Sequence, residues 1–261
     1  MPFISLTLQM KLHIKIGLTL FVAGFTGILS LLTMPFASDA IPPELLAGYS
    51  EISLRLLSTI NPLILLTVAT VLGTILYPKV SRLRAPALEL ILRSGADSWQ
   101  KIIAQQAKSG LMGGIIAGAA VIVLEALFKP HLPLEFTQLP AQHQPNIAVR
   151  LLYGGITEEV MLRFGLMTLL AWALAKLSRT VNPVSMWIAI LLAAIMFAAA
   201  HLPIVFVKVP EVTGLLIFYI LLGNSVAGII YGWLYWKRGL EAAIIAHMVT
   251  HLVILGVSAM S

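Results

Sequence analysis

Long apolar runs separated by short polar connectors make up most of the chain. A helix that crosses a bilayer needs about 20 predominantly apolar residues. Seven stretches qualify: Ile16–Phe36, Ile60–Tyr77, Gly110–Phe128, Ile147–Leu177, Pro183–Val207, Gly214–Trp236 and Leu240–Met260. The pattern predicts an all-α, polytopic membrane helix bundle of about seven transmembrane helices. The fourth stretch is too long for one simple span, so it either runs on into the interface or bends at Gly154–Gly155. The fifth also overshoots, and Pro203 stands where it would end that helix early.

The segments between the spans carry their own patterns. Pro42–Ser58 mixes Glu44, Glu51 and Arg55 with Leu45, Leu46, Ile52, Leu54 and Leu57, which predicts an interfacial helix. Pro86–Lys108 is amphipathic and basic, with Trp99 expected at headgroup depth. Tyr231, Trp233, Tyr235 and Trp236 precede Lys237 and Arg238 and read as an aromatic belt at one end of the sixth span. Gly110, Gly114 and Gly118 repeat every four residues, as do Gly228 and Gly232. Such spacing lets helices approach closely, and bundle packing accounts for it.

Composition strengthens the membrane reading. Of 261 residues, 59% are apolar and 11% charged, against about a quarter charged in soluble domains. So few charges cannot coat a water-facing surface, so lipid is the expected partner. The net charge of +6 is then a loop bias and no sign of a nucleic-acid partner. There is no cysteine, hence no disulfide framework and no thiolate chemistry. With the N-terminus inside, twelve Lys and Arg fall on the cytoplasmic side and three outside, with Arg150 and Arg163 inside the fourth span. That asymmetry follows the positive-inside rule and predicts an odd number of spans. No small-residue cleavage site follows the first apolar stretch, which is therefore expected to be retained. The expected location is a bacterial cytoplasmic (inner) membrane, multi-pass, N-terminus in.

Against this background a few residues are out of place. An ionisable side chain in a membrane core costs roughly 2.5–3.5 kcal/mol and is paired or functional. The fourth span carries Thr157, Glu158, Glu159 and Arg163, the fifth His201, and the seventh His247 and His251. Glu159 and Arg163 are four apart and can pair on one face. That division leaves Glu158 freer to serve as a general base. Phe197 lies four before His201 and can wall a pocket. His247 and His251 share a helix face as two metal ligands would, but no glutamate follows His247 as in a zinc-peptidase helix. Two chemistries stay open on these residues. No cofactor is needed if the imidazoles orient water and donate to an oxyanion. A divalent metal such as zinc could instead be held by Glu158, His201, His247 and His251. Helix arithmetic leaves one conflict. At 1.5 Å per residue, His247 lies about 10 Å from Leu240 and His201 about 27 Å from Pro183, so simple straight spans do not bring them level.

Three motifs then fall in order. Glu158-Glu159-Val160-Met161-Leu162-Arg163 resembles EExxxR, Phe197 to His201 resembles FxxxH, and Gly239-Leu240 followed by His247 and position 251 resembles a terminal HxxxN/D motif. Together, over Ile147–Met260, they resemble the CPBP family of type II CAAX prenyl endopeptidases and bacterial Abi-type intramembrane proteases. The resemblance implies that Glu158 and His201 activate a water for peptide hydrolysis. It also implies that His247 and residue 251 stabilise the oxyanion. His251 departs from the family's Asn or Asp. The expected organisation is residues 1–146 as transmembrane helices with interfacial segments and residues 147–261 as the catalytic helix core. The expected function is an intramembrane endopeptidase acting on a membrane-associated or lipidated peptide or protein. Its rivals are a non-catalytic membrane scaffold that keeps the fold and a Glu/His proton or cation transporter.

Overall fold

A computed structural model describes residues 2–34, 48–94, 99–138 and 144–260. The described chain is helical, with no strand among the described residues. Seven of its helices are long and apolar enough to cross a membrane: Met10–Thr33, Glu51–Lys79, Gln100–His131, Val149–Ser178, Pro183–Lys208, Gly214–Lys237 and Leu240–Ser258. Their outward faces are apolar, as Leu18, Val22, Ile64, Val68, Ile115, Leu127 and Ile195 illustrate. Such a surface is stable only against lipid tails, so this is an integral multi-pass membrane protein.

Parts of two expected surface helices turn out to belong to spans. Glu51–Ser58 starts on the Ser50 cap and continues through Thr59 into Ile60–Leu76. The backbone bonds Thr59 N to Leu56 O and Leu63 N to Thr59 O carry the helix across the join. The charges that suggested an interfacial helix are met locally, Arg55 reaching Glu51 at 2.6 Å and Leu32 O at 2.9 Å. The earlier part of that expected helix, residues 42–47, lies outside the described residues. Likewise Pro86–Ser94 forms a short amphipathic helix, but the later half of the expected surface segment belongs to the long third helix, Trp99–Phe128. Residues 95–98 and the headgroup placement of the Trp99 side chain lie outside the described residues.

The glycine repeats are packing surfaces. A Cβ on Gly114 would stand 2.5 Å from Ala246 O, and one on Gly110 or Gly118 would strike Ile245 or Val253. The third and seventh spans therefore pack backbone to backbone, fastened by Thr250 Oγ1 donating to Gly114 O at 3.2 Å. Gly228 and Gly232 likewise admit Ala194 and Ile190 of the fifth span. The sixth and seventh spans are joined at Gly239, whose φ of 135° suits glycine, and Leu240 N donates to Arg84 O at 2.9 Å.

The fourth span resolves its excess length by winding differently. Val149–Glu158 and Val160–Met167 are π-helical, followed by α-helix from Thr168 to Ser178. Threonine hydroxyls record the wider turn. Thr157 bonds Leu152 O at 3.3 Å and Thr168 bonds Arg163 O at 3.2 Å, each five residues back, whereas Thr70 bonds Leu66 O four back. A wider turn advances less per residue, so thirty residues fit one crossing. Thr157 also donates to Gly24 O of the first span at 2.7 Å. Within the fifth span the α-helix ends at Ala199, and a short helix, Leu202–Lys208, begins with Pro203 in its first turn. His201 sits at this break.

Candidate active site

The π-helical stretch brings its charged residues to the centre of the bundle. Glu159 and Arg163 are both buried, at 0% and 1% exposure, and pair at 3.0 Å. The guanidinium also donates through Nη2 to Gly228 O at 2.9 Å. It lies over the rings of Phe197 and Tyr231, 5.1 and 5.3 Å from their centroids. A cation here is held by a carboxylate, a carbonyl and two aromatic faces from three spans.

Glu159 has a second partner that spacing alone did not reveal. Its Oε1 accepts from His247 Nδ1 at 2.9 Å. A carboxylate oxygen accepts, so Nδ1 carries the proton and Nε2 points elsewhere. Nε2 faces Glu158 Oε2 at 3.9 Å, beyond a direct hydrogen bond. Glu158 is the more open of the two carboxylates, its side chain 17% exposed. The two adjacent glutamates thus face one imidazole from two sides, one gripping it and one across a gap.

Aromatic contacts fix the ring planes. Tyr231 stacks on His247 with centroids 4.6 Å apart, and His251 stacks at 4.9 Å. Phe197 meets His247 edge-on at 5.9 Å and His201 at 4.8 Å. Phe197 therefore touches both imidazoles. His201 Nδ1 donates to Phe197 O at 2.9 Å, so the ring folds back over the last helical turn. That fold-back moves the imidazole about one turn inward from its backbone position. Phe197 touches both rings, so the two imidazoles meet despite the depth difference that straight spans imply. With Nδ1 so engaged, the neutral ring presents Nε2 as an acceptor.

Gly154 gives the site its clearance. A Cβ there would stand 2.7 Å from His251 Nε2 and 3.8 Å from His247 Nε2. His251 Nδ1 is buried with no hydrogen-bond partner among the described residues. The four candidate ligands of the metal alternative do not form a cage. Among the described residues no three His, Asp or Glu side chains are grouped to hold a metal ion.

Glu158, Glu159, Arg163, Phe197, His201, His247 and His251 thus lie in one connected set of contacts. Tyr231 joins them without a motif of its own. The expected belt at 231–236 is mostly interior: Tyr231 and Tyr235 are each 1% exposed, and Trp233 alone of the four is open. Tyr235 bonds Thr168 at 3.0 Å. The available signal was register, since Tyr231 and Tyr235 follow Gly228 at helical spacing on the inward face.

Residues 141–253 match the family model described as Type II CAAX prenyl endopeptidase Rce1-like. The matched segment spans all three motifs, so this part of the chain is similar to that family. No curated protein and no solved structure gives a match.

Proposed function

We propose that this chain, carrying an Rce1-like domain over residues 141–253, is an intramembrane endopeptidase. It cleaves a membrane-associated or lipidated peptide with a water activated by Glu158 and His201. The observation that carries the reading is the division of labour between adjacent carboxylates. Glu159 is consumed by Arg163 and His247, while Glu158 keeps a partly open carboxylate across a 3.9 Å gap from His247 Nε2.

The chemistry follows from these groups. Glu158 accepts a proton from water as its oxygen bonds to the peptide carbonyl carbon. His201 Nε2 is a second acceptor that orients the same water. The carbonyl oxygen becomes an oxyanion, for which His247 Nε2, when protonated, is a donor. Glu159 on Nδ1 fixes the ring's orientation and balances its charge, the task a buried carboxylate performs for a catalytic histidine elsewhere. Collapse of the intermediate breaks the C–N bond, and the proton held by Glu158 passes to the leaving amine. His251 is a further donor stacked behind His247. In this reading the reaction needs no metal, because the acceptor, the orienting group and the oxyanion donors are all side chains.

The N-terminus is read as cytoplasmic and the membrane as a bacterial inner membrane, on the distribution of Lys and Arg. The scaffold and transporter readings gain no observation of their own. Cleavage of a prenylated peptide by the purified protein in liposomes tests the proposal. Activity should disappear in Glu158→Gln and fall steeply in His201→Ala, with the helical content of both variants unchanged. Activity that survives both changes overturns it.

A further inference from the structure

Away from the catalytic residues, three surface cavities at the basic end of the bundle share one side chain, Arg238. The first is an apolar groove of about 390 Å³ between the third, fifth and sixth spans. Met112, Gly113 and Ile116 form one wall, Ile230 and Trp233 the other, and Trp187 closes it. Gly113 sets its depth, because a Cβ there would stand 2.6 Å from Leu234. Past Ser109 and Met112 the groove opens into a polar recess of about 600 Å³, where Gln105, Lys108, Lys237 and Arg238 gather. The third cavity, about 330 Å³, adds Arg82 and Arg84 beside Lys237 and Arg238.

Two features make this more than a basic loop. Every charged side chain lining the three cavities is cationic. Lys108, Lys237 and Arg238 are exposed and pair with no carboxylate among the described residues. The ammonium of Lys237 instead sits 3.5 Å above the Trp236 ring. Second, the cationic recess is continuous with an apolar groove flanked by two half-open tryptophans, Trp187 at 41% and Trp233 at 38% exposure. Tryptophan favours the headgroup level of a bilayer. An amphiphile with an anionic head and a long apolar tail is complementary to both halves at once. A soluble anion would leave the groove unused.

We propose that this end of the bundle binds one anionic glycerophospholipid. An acyl chain lies in the groove between the third, fifth and sixth spans, and the phosphate is held by Lys108, Lys237 and Arg238. Basic pockets between spans recognise such headgroups by charge. The site backs onto the catalytic one through the sixth span, which turns Tyr231 to His247 and Ile230 and Trp233 to the groove. It stands independently of the proteolytic reading.

The test uses the full chain in phosphatidylcholine nanodiscs doped with phosphatidylglycerol bearing brominated acyl chains, and tryptophan fluorescence as the readout. Brominated phosphatidylcholine at the same mole fraction is the control. The anionic lipid should reach half-maximal quenching at a roughly tenfold lower mole fraction. That preference should shrink as salt is raised. It should vanish in the triple variant Lys108→Gln, Lys237→Gln, Arg238→Gln, and in the double variant Trp187→Phe, Trp233→Phe. Equal quenching by the two lipids overturns the proposal, as does a preference that persists in high salt or in the double variant. If the triple variant fails to fold, the salt series on the unaltered protein decides.

Discussion

Replacing Arg163 by methionine probes the centre of the molecule. The change keeps an unbranched apolar stem but removes the charge, leaving Glu159 at 0% exposure without its 3.0 Å partner. Breaking a buried ion pair from one side typically costs about 3–5 kcal/mol, because the remaining charge is stranded. The bond to Gly228 O at 2.9 Å and the contacts with Phe197 and Tyr231 are lost as well. These terms overlap with the first and do not add to it. Even the low end of the range lowers the folded-to-unfolded ratio by more than about a hundredfold at 1.4 kcal/mol per decade. Unfolding of the purified protein in detergent micelles, by heat or by denaturing detergent, measures the loss. The informative partner is Glu159→Gln, whose amide oxygen still accepts from His247 Nδ1 but carries no charge. In that background the same Arg163 substitution should cost about 1–3 kcal/mol less. An Arg163 variant within about 1 kcal/mol of wild type, or one whose cost is identical in both backgrounds, would refute the account of a stranded carboxylate.

Two further outcomes follow from the geometry. His251→Asn should retain or raise activity, since an amide supplies an N–H without depending on a tautomer. Elemental analysis run beside it should find no stoichiometric metal in the wild type, and metal present there but lost in the variant would reverse the metal-free reading. Gly154→Ala places a Cβ 2.7 Å from His251 Nε2. Pushing the His251 ring against the stacked His247, with overpacking strain of about 1–3 kcal/mol falling on the site, should lower kcat by about tenfold while leaving the melting temperature less affected than Arg163→Met does.

What the chain reveals on inspection follows from how strongly each feature is encoded. Seven spans are legible because hydrocarbon demands about 20 apolar residues regardless of neighbours. The Glu159–Arg163 pair is legible because i,i+4 contact is local. The glycine repeats are legible as packing faces, although not which helix fills each. Span ends are less legible: Glu51 and Arg55 satisfy each other, so a charged stretch that looks interfacial continues a helix. The π-helical winding of Val149–Met167 has no periodic signature in so short a segment. The bond from His247 to Glu159 crosses 88 positions of sequence, and only tertiary packing creates it. The aromatic neighbours of Tyr231 present it as an interface anchor. Its register with Gly228 turns it inward against His247 instead.

The central claim, that Glu158 is the base of a peptide hydrolysis carried out within the bundle, is tested most directly by one comparison. Purified wild type and Glu158→Gln are reconstituted in liposomes with a farnesylated peptide ending in a CAAX sequence, and release of the carboxyl-terminal tripeptide is followed by mass spectrometry. The substitution is close to isosteric at a partly open position, so folding should be unchanged. Loss of a general base should lower the rate by about 10²–10⁴-fold. The account predicts tripeptide release by the wild type and a loss of that size in the variant. Release by the variant at the wild-type rate would contradict it.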